Sequence, residues 1–238
     1  MGPLAILPLA GIPEVREGDD LGELIARAAW TAGTPLQDGD CLVVTQKVVS
    51  KAEGRIVPLD HDDAAAKRAL VEAESVRILR RRGDLVISET AHGFVCANAG
   101  IDLSNVEDGT AALLPVDADR SARRIRDALR GVEHVDVGVI VSDTFGRAWR
   151  HGLTDVAIGV AGIAAVLDLR GTADAGGREL QVTEVAVADE IAGAAELVMG
   201  KSTGIAVAIV RGLDPRSEEH TSELQSHSDL VCRLLLEK

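Results

Sequence analysis

Aromatic side chains are scarce in this sequence of 238 residues, which contains two tryptophans, two phenylalanines and no tyrosine. The apolar core must therefore be built mainly from Ala, Val, Leu and Ile. A hydrophobic content of 46% suffices for one large domain or two small interlocked ones. Phe145 and Trp149, half of the aromatic residues, fall in one short polar segment, and this position favours a functional role for that segment.

Paired cysteines, long apolar runs and an excess of positive charge are also missing. The three cysteines show no paired spacing and no CxxC motif, so the sequence predicts neither a disulfide framework nor a structural zinc site. No signal-type N-terminus and no membrane-spanning run is present, and we therefore expect a cytoplasmic protein without membrane contact. A net charge of −13 argues against nucleic acid as a partner.

Patterns of helices and strands are mixed along the chain without strict βαβ alternation. This mixture predicts an α+β fold, that is, a complex mixed α/β arrangement without internal repeats. The predicted helices cover residues 20–31, 64–82, 119–130 and 189–199. The predicted strands cover residues 5–9, 41–44, 85–89, 93–96, 112–116, 137–141, 181–186 and 205–210.

The segment from Arg216 to Lys238 differs in composition from the Ala-, Val-, Gly- and Arg-rich sequence before it. Its first eight residues, RSEEHTSE, read as the in-frame translation of a common sequencing adapter. We therefore expect residues 1–215 to be the natural domain and residues 216–238 to be an adapter-derived tail without a functional role. The alternative is a natural amphipathic tail.

A polar cluster follows the apolar run 137–141, at the point where a buried strand is predicted to end. It contains Asp143 and Thr144, whose hard oxygens suit Mg²⁺ or Mn²⁺. It also contains Arg147 and Arg150, whose guanidinium groups suit phosphate or carboxylate. The cluster predicts metal-assisted chemistry on an anionic substrate. The alternative is an acidic strand end that forms salt bridges with its own loop.

Two other polar strand ends offer partners for this cluster. Asp102 and Asn105 lie three residues apart in one loop and pair naturally with the oxygen ligands above, although Asp102 alone is also a common turn residue. Lys51 suits a phosphate contact, although an isolated lysine is usually a solvated surface group. The segment 200–203, GKST, lacks the upstream glycine of a P-loop, follows a predicted helix and precedes a predicted strand, so we reject that motif.

Six segments in a fixed order resemble the coenzyme F420-0:L-glutamate ligase (γ-glutamyl ligase) family, in its bacterial form. The resemblance covers residues 5–213, nearly the whole predicted natural domain. The segments are ILPLAGIPEVREGDDL, VVTQKVVSKAEGR, AGIDLSNV, LLPVDADRSA, VIVSDTFGRAWRHGLTDVAIGVAG and VTEVAVADEIAGAAELVMGK.

The resemblance implies which of the candidate site residues bind GTP and which bind metal ions. The GTP contacts that it implies are Ile12, Pro13, Glu14, Val15, Gln46, Lys51 and Asn105. It implies two divalent ions (Mg²⁺ or Mn²⁺), one held by Asp102 and Asp143 and a second at Thr144, with K⁺ as a further candidate ion. Some single-domain relatives carry a carboxamide or an acidic residue in the loop of Lys201, and a lysine cannot ligate a metal in the same way. From chemistry alone, we assign Arg147 and Arg150 as catalytic anion anchors beside Asp143.

The resemblance also implies the reaction and the assembly. The enzyme would add L-glutamate to the deazaflavin precursor F420-0, and to F420-1, through an acyl phosphate made with GTP, releasing GDP and phosphate. It would be an intertwined homodimer, and many bacterial relatives carry a flavin-binding nitroreductase-like domain after the ligase domain. Two alternatives remain: a metal-dependent nucleotide phosphohydrolase or phosphotransferase, and a non-catalytic nucleotide-binding subunit.

Overall fold

The computed structural model describes residues 3–213 of the chain. Met1, Gly2 and residues 214–238, which include the predicted adapter-derived tail, lie outside the described residues. Within residues 3–213, no helix combines the length and the apolar character needed to cross a membrane.

The described helices are α1 (Leu21–Thr31), α2 (Gln46–Ala52), α3 (Ala64–Ala73), α4 (Ala118–Glu133) and α5 (Val187–Met199). The described strands are β1 (Ala5–Leu9), β2 (Cys41–Thr45), β3 (Ile56–Pro58), β4 (Ser75–Arg82), β5 (Leu85–Thr90), β6 (Val95–Ala97), β7 (Thr110–Ala112), β8 (Gly138–Gly146), β9 (Leu153–Ala161), β10 (Leu167–Asp168), β11 (Glu184–Val185) and β12 (Val207–Arg211). The predicted α+β class is thereby confirmed, whereas the predicted dimer stays a prediction.

A five-stranded mixed sheet with the order β1-β12-β2-β8-β9 forms the centre of the described chain. Strands β2 and β8 run parallel, and the other neighbouring pairs run antiparallel. The first four residues of β2 and the first half of β8 are buried because helices cover both faces of the sheet. Since β2 and β8 are parallel, their carboxyl ends open at the same edge of the sheet, and the candidate site lies there.

Two apolar cores lie on opposite faces of this sheet. Helices α1 and α4 pack on the face that presents Val139 and Val141. Helix α5 packs on the face that presents Ile140. Helix α4 approaches β9 so closely that a Cβ atom added at Gly159 would lie 2.3 Å from the carbonyl carbon of Ala118. Glycine is therefore required at this crossing.

The predicted long helix over residues 64–82 is wrong in its second half. Helix α3 ends at Ala73, and residues 75–82 form β4, which pairs antiparallel with β5 across a two-residue turn at Gly83 and Asp84. Gly83 has a positive φ of +59°, which glycine adopts without strain and which suits a tight hairpin. Cross-strand pairing therefore outweighs the helix propensity of the arginines in this segment.

Two further differences concern the candidate site. Lys51, expected at the polar end of a strand, lies in helix α2, which begins directly after β2. The cluster 142–150, expected in a loop, begins inside a strand, because β8 continues as far as Gly146 through pairing with β9. The predicted hairpin of β5 and β6 is confirmed, and the segment 200–204 connects a helix to a strand, as the rejection of the P-loop requires.

Candidate active site

The second half of β8 carries two polar side chains toward opposite faces of the sheet. Asp143 pairs with Val156 of β9, and Thr144 pairs with Asp155. Because successive residues of a strand alternate in direction, Asp143 faces the side of α2, and Thr144 faces the side of α5. The two predicted metal ligands therefore face two different environments.

Asp143 lies near enough to a second carboxylate, that of Asp102 in the loop after β6, for the two charges to interact. Burial is the main reason that the pKa of Asp143 rises from its ordinary value of 3.8 to about 7. A hydrogen bond from the backbone N of Thr144 (2.7 Å) and the charge of Lys47 act in the opposite direction, whereas Asp102 and Asp155 add to the rise. Among the ion pairs of residues 3–213, none includes Asp143.

Lys47, at the beginning of α2, holds the Asp102 loop in place. Its Nζ atom lies 2.9 Å from Oδ2 of Asp102 and donates a hydrogen bond of 3.0 Å to Oγ of Ser104. Oδ1 of Asp102 accepts hydrogen bonds from the backbone N and Oγ of Ser104, which closes a tight turn. Burial acts to raise the pKa of Asp102, but the hydrogen bonds from Lys47 and Ser104 outweigh it and lower that pKa. Asp102 is therefore ionised beside the more readily protonated Asp143.

On the other face, Thr144 belongs to a polar cluster around Lys201. The ammonium group of Lys201 lies 2.6 Å from Oγ1 of Thr144, 2.8 Å from Oδ1 of Asp155 and 2.8 Å from Oε1 of Glu196. Oγ1 of Thr144 in turn donates a hydrogen bond of 2.7 Å to Asp155, whose side chain is only 3% exposed. Burial opposes the charge of Lys201, but its bonds to the two carboxylates outweigh that effect and raise its pKa.

Arg147 and Arg150 lie in the exposed turn that connects β8 to β9. The guanidinium group of Arg147 donates a hydrogen bond to the carbonyl oxygen of His151. Neither arginine forms an ion pair with a residue that the structure describes. The alternative interpretation, in which this acidic strand end forms salt bridges with its own loop, is therefore wrong for the described chain. The arginines remain available for an external anion.

The structure brings together some of the predicted GTP contacts. Lys51 on α2 forms an ion pair with Glu14, whose side chain is 74% exposed. Gln46, in contrast, is buried, and its amide donates a hydrogen bond of 2.9 Å to the carbonyl oxygen of Leu113. Asn105 is exposed and adopts a positive φ of +51° in the Asp102 loop.

The remaining predicted contacts form the segment before α1. Val15 is buried in the apolar core, and Ile12 packs against that core, while Pro13 between them is exposed. If this segment contacts a nucleotide, its exposed backbone and Glu14 are the parts that can reach it. These seven GTP contacts stay predictions.

Sequence reasoning missed three side chains of the site: Lys47, Asp155 and Glu196. Asp155 had a usable signal, because it is a single acidic residue within the otherwise largely apolar strand β9. Lys47 had no such signal, since its partner Asp102 becomes a neighbour only in the folded chain. Glu196 lies in the last turn of α5, close in sequence to Lys201, and its residue type there does not by itself indicate an ion pair.

The donor set at Asp102 and Asp143 fits a divalent cation. Among residues 3–213, no group of three or more His, Cys, Asp or Glu side chains is arranged to hold a metal ion. Two interacting carboxylates nevertheless match the way Mg²⁺ is held in phosphate-transferring sites, where one or two carboxylates suffice and phosphate and water oxygens complete the coordination shell. The unpaired charge of Asp143 is what such an ion would neutralise. The site at Thr144 does not fit, because the ammonium of Lys201 lies among its oxygens.

These features define a class of site: two hard-oxygen carboxylates at the carboxyl ends of two parallel strands, followed by exposed arginines in the next turn of the chain. Comparison with known proteins identifies the family. A family profile described as F420-0:Gamma-glutamyl ligase matches residues 11–212. The chain therefore belongs to the F420-0:gamma-glutamyl ligase family.

Similar proteins come from three archaea. The chain is 44% identical to the coenzyme F420:L-glutamate ligase of Methanothermobacter thermautotrophicus, over 88% of this chain and 89% of that protein. It is 44% identical to the ligase of the same name from Methanopyrus kandleri, over 92% of each chain. It is 40% identical to that of Archaeoglobus fulgidus, over 97% of each. The expectation that this chain has the bacterial form stays a prediction.

Proposed function

We propose that this chain is a GTP-dependent ligase that adds L-glutamate to F420-0, and to F420-1, in the biosynthesis of coenzyme F420. Three relatives at 40–44% identity carry the name coenzyme F420:L-glutamate ligase, which supports the reaction class. The observation that carries the chemistry is the unpaired carboxylate of Asp143 beside Asp102, at the edge of the sheet where polar groups from β8 and α2 meet.

The first half of the reaction would activate a carboxylate, which is a poor electrophile on its own. An oxygen atom of the precursor carboxylate attacks the γ-phosphorus of GTP, the bond to the β–γ bridging oxygen breaks, and GDP leaves. A divalent cation, Mg²⁺ or Mn²⁺, held by Asp102 and Asp143 would neutralise charge on the phosphates. Lys51 and the exposed backbone before α1 would orient the nucleotide.

The second half would form the amide bond. The amine nitrogen of glutamate attacks the acyl carbon, the bond from that carbon to the phosphate oxygen breaks, and inorganic phosphate leaves while the amine loses a proton. Arg147 and Arg150 have no acidic partner among the described residues, so they would anchor the carboxylates of glutamate or the phosphates. Holding three reactants together supplies proximity and limits hydrolysis of the acyl phosphate.

The proposal includes a cytoplasmic homodimer and leaves K⁺ as a further candidate ion. The described cysteines, Cys41 and Cys96, are buried free thiols whose pKa values are raised by burial, to about 12 for Cys96. Free buried thiols are typical of proteins in a reducing compartment.

The test is a product assay. The protein is incubated with GTP, Mn²⁺ and F420-0, with and without glutamate, and the products are examined by mass spectrometry. A glutamate-dependent adduct together with GDP supports the ligase. GDP release that needs no glutamate supports the phosphohydrolase instead, and the absence of both supports a non-catalytic nucleotide-binding subunit.

A matched pair of variants tests the site. We expect Asp143→Ala to lose at least 100-fold of the ligase rate while remaining folded, because removal of a carboxylate that holds a catalytic cation costs on the order of several kcal/mol in the transition state. Asp168→Ala, which removes a half-exposed carboxylate paired with Arg170, should leave the rate unchanged. Ligation at the wild-type rate by Asp143→Ala would refute the assignment of this carboxylate.

A further inference from the structure

We infer that the ammonium group of Lys201 replaces a second divalent cation at Thr144, so that this chain binds one divalent ion per active site. The inference deepens the proposed function and rests on it for the identity of the first site, between Asp102 and Asp143. The second site lies on the opposite face of β8, where the ammonium group of Lys201 contacts Thr144.

The first argument is the geometry around the ammonium. An ammonium group has three N–H donors, and those of Lys201 meet three oxygens from three elements: Thr144 of β8, Asp155 of β9 and Glu196 of α5. The distances of 2.6–2.8 Å are those of charge-assisted hydrogen bonds. Mg²⁺ requires oxygens at about 2.0–2.1 Å, so this set of oxygens is spaced around an ammonium group.

The second argument is that the buried acid of this cluster already has its counter-ion. The side chain of Asp155 is 3% exposed and that of Glu196 is 19% exposed, so both carboxylates need a positive partner. Lys201 supplies it from a loop that begins directly after α5. A divalent ion added at Thr144 would lie next to this ammonium, and like-charge repulsion would oppose its binding.

The third argument is the separation of the two environments. Asp143 and Thr144 point to opposite faces of one strand, and Lys47 and Lys201 each contact the polar groups of one face. The carboxylate of Asp143 is the one without an ion pair among the described residues of the site. The divalent ion is therefore expected on the Asp102 face alone.

The experiment counts bound Mn²⁺. The full chain, freed of metal by chelation, is dialysed to equilibrium against Mn²⁺ alone, and bound metal per chain is measured by elemental mass spectrometry. We expect one Mn²⁺ for the wild type and two for Lys201→Gln, which removes the ammonium and offers an amide oxygen. Lys201→Arg keeps the charge, and Lys67→Gln removes a lysine from helix α3, so both should stay at one.

The outcomes separate this inference from the proposed function. Two Mn²⁺ per wild-type chain, or a single Mn²⁺ in Lys201→Gln, overturns the inference while the ligase assignment stands. No Mn²⁺ in the wild type but one in Lys201→Gln supports the inference and overturns the Asp102–Asp143 site. No Mn²⁺ in either protein overturns both.

A second measurement covers the case in which Lys201→Gln does not fold, as judged by circular dichroism. Wild-type crystals soaked in Mn²⁺ are examined by anomalous scattering. One peak between Asp102 and Asp143 supports the inference, and a peak beside Thr144 overturns it.

Discussion

The buried carboxylate of Asp143 should make the metal-free protein less stable at alkaline pH. Its pKa is raised from 3.8 to about 7, so the folded protein holds this proton more tightly than the unfolded chain does. The stabilisation that results is fully present below about pH 4 and is lost as the pH rises through about 7. Above that pH, the folded chain carries a buried negative charge that no described side chain pairs.

Asp143→Asn removes this charge and nearly preserves the size and shape of the side chain. One pKa unit corresponds to about 1.4 kcal/mol, so the full rise would amount to about 4 kcal/mol. Asp143 retains some contact with solvent, which screens the charge, and we therefore expect the variant to be more stable by about 2 kcal/mol at pH 8. At pH 4.5 the two proteins should differ by less than about 1 kcal/mol.

The assay is urea unfolding of chelator-treated protein at pH 4.5, 6 and 8. Far-UV circular dichroism is the better probe, because Trp30 and Trp149 are 73% and 101% exposed and would report weakly on unfolding. The difference between variant and wild type isolates this one group, since all other carboxylates titrate in both proteins. Asp168→Asn is the control, because its carboxylate is exposed and its pKa is lowered by the hydrogen bonds from Arg170.

Two results would refute this reasoning. One is an Asp143→Asn variant that is no more stable than the wild type at pH 8. The other is a stability difference that does not change between pH 4.5 and pH 8. Saturating Mn²⁺ should reduce the difference by stabilising the wild type, because an ion bound to the folded state alone adds to its stability.

Two further predictions concern the scaffold. Arg211→Met should lower the free energy of unfolding in urea by about 3–5 kcal/mol, because the carboxylate of Asp40, which is 1% exposed, loses its two hydrogen bonds of 2.7 Å to Arg211. Arg170→Met, at an exposed ion pair, should lower it by less than about 1 kcal/mol. Equal losses in the two variants would contradict the burial argument. Gly159→Ala should lower the thermal midpoint by several degrees because its Cβ would collide with α4. Gly131→Ala, in the last turn of α4 with open space around it, should raise stability by about 0.5 kcal/mol. A neutral Gly159→Ala would show that the helix can shift.

Much of the central sheet could be predicted because its strands are short apolar runs bounded by turn residues. The runs at 41–44 and 137–141 are such cases, and both are buried strands in the structure. Residues 75–82 were predicted wrongly because arginine is compatible with both helix and strand, and the partner strand decides. The periodicity of one segment does not contain that information.

The candidate site likewise contains residues that the local sequence reveals and residues whose roles depend on the folded chain. Asp143, Thr144 and Asp102 could be found from their residue types and their positions after apolar runs. Lys47 could not be assigned a role, because it acts through Asp102, which is distant in sequence. Asp155 stands out as the single acidic residue of β9, but its contact with Thr144 depends on the pairing of β9 with β8. The sequence therefore pointed to the oxygen groups and to Lys201, but not to Lys47, whose ammonium group holds the Asp102 loop on the other face of β8.

The position of β12 has a consequence for how the chain is made. This strand lies between β1 and β2, yet it is the last strand of the described chain to leave the ribosome. Until residues 207–211 emerge, the facing edges of β1 and β2 have no partner, and β1 cannot join the sheet. The nascent chain therefore exposes two open edges of apolar strands for most of its synthesis, and such edges favour intermolecular strand pairing. A chain that ends before residue 207 would lose an inner strand of the sheet and not a dispensable end.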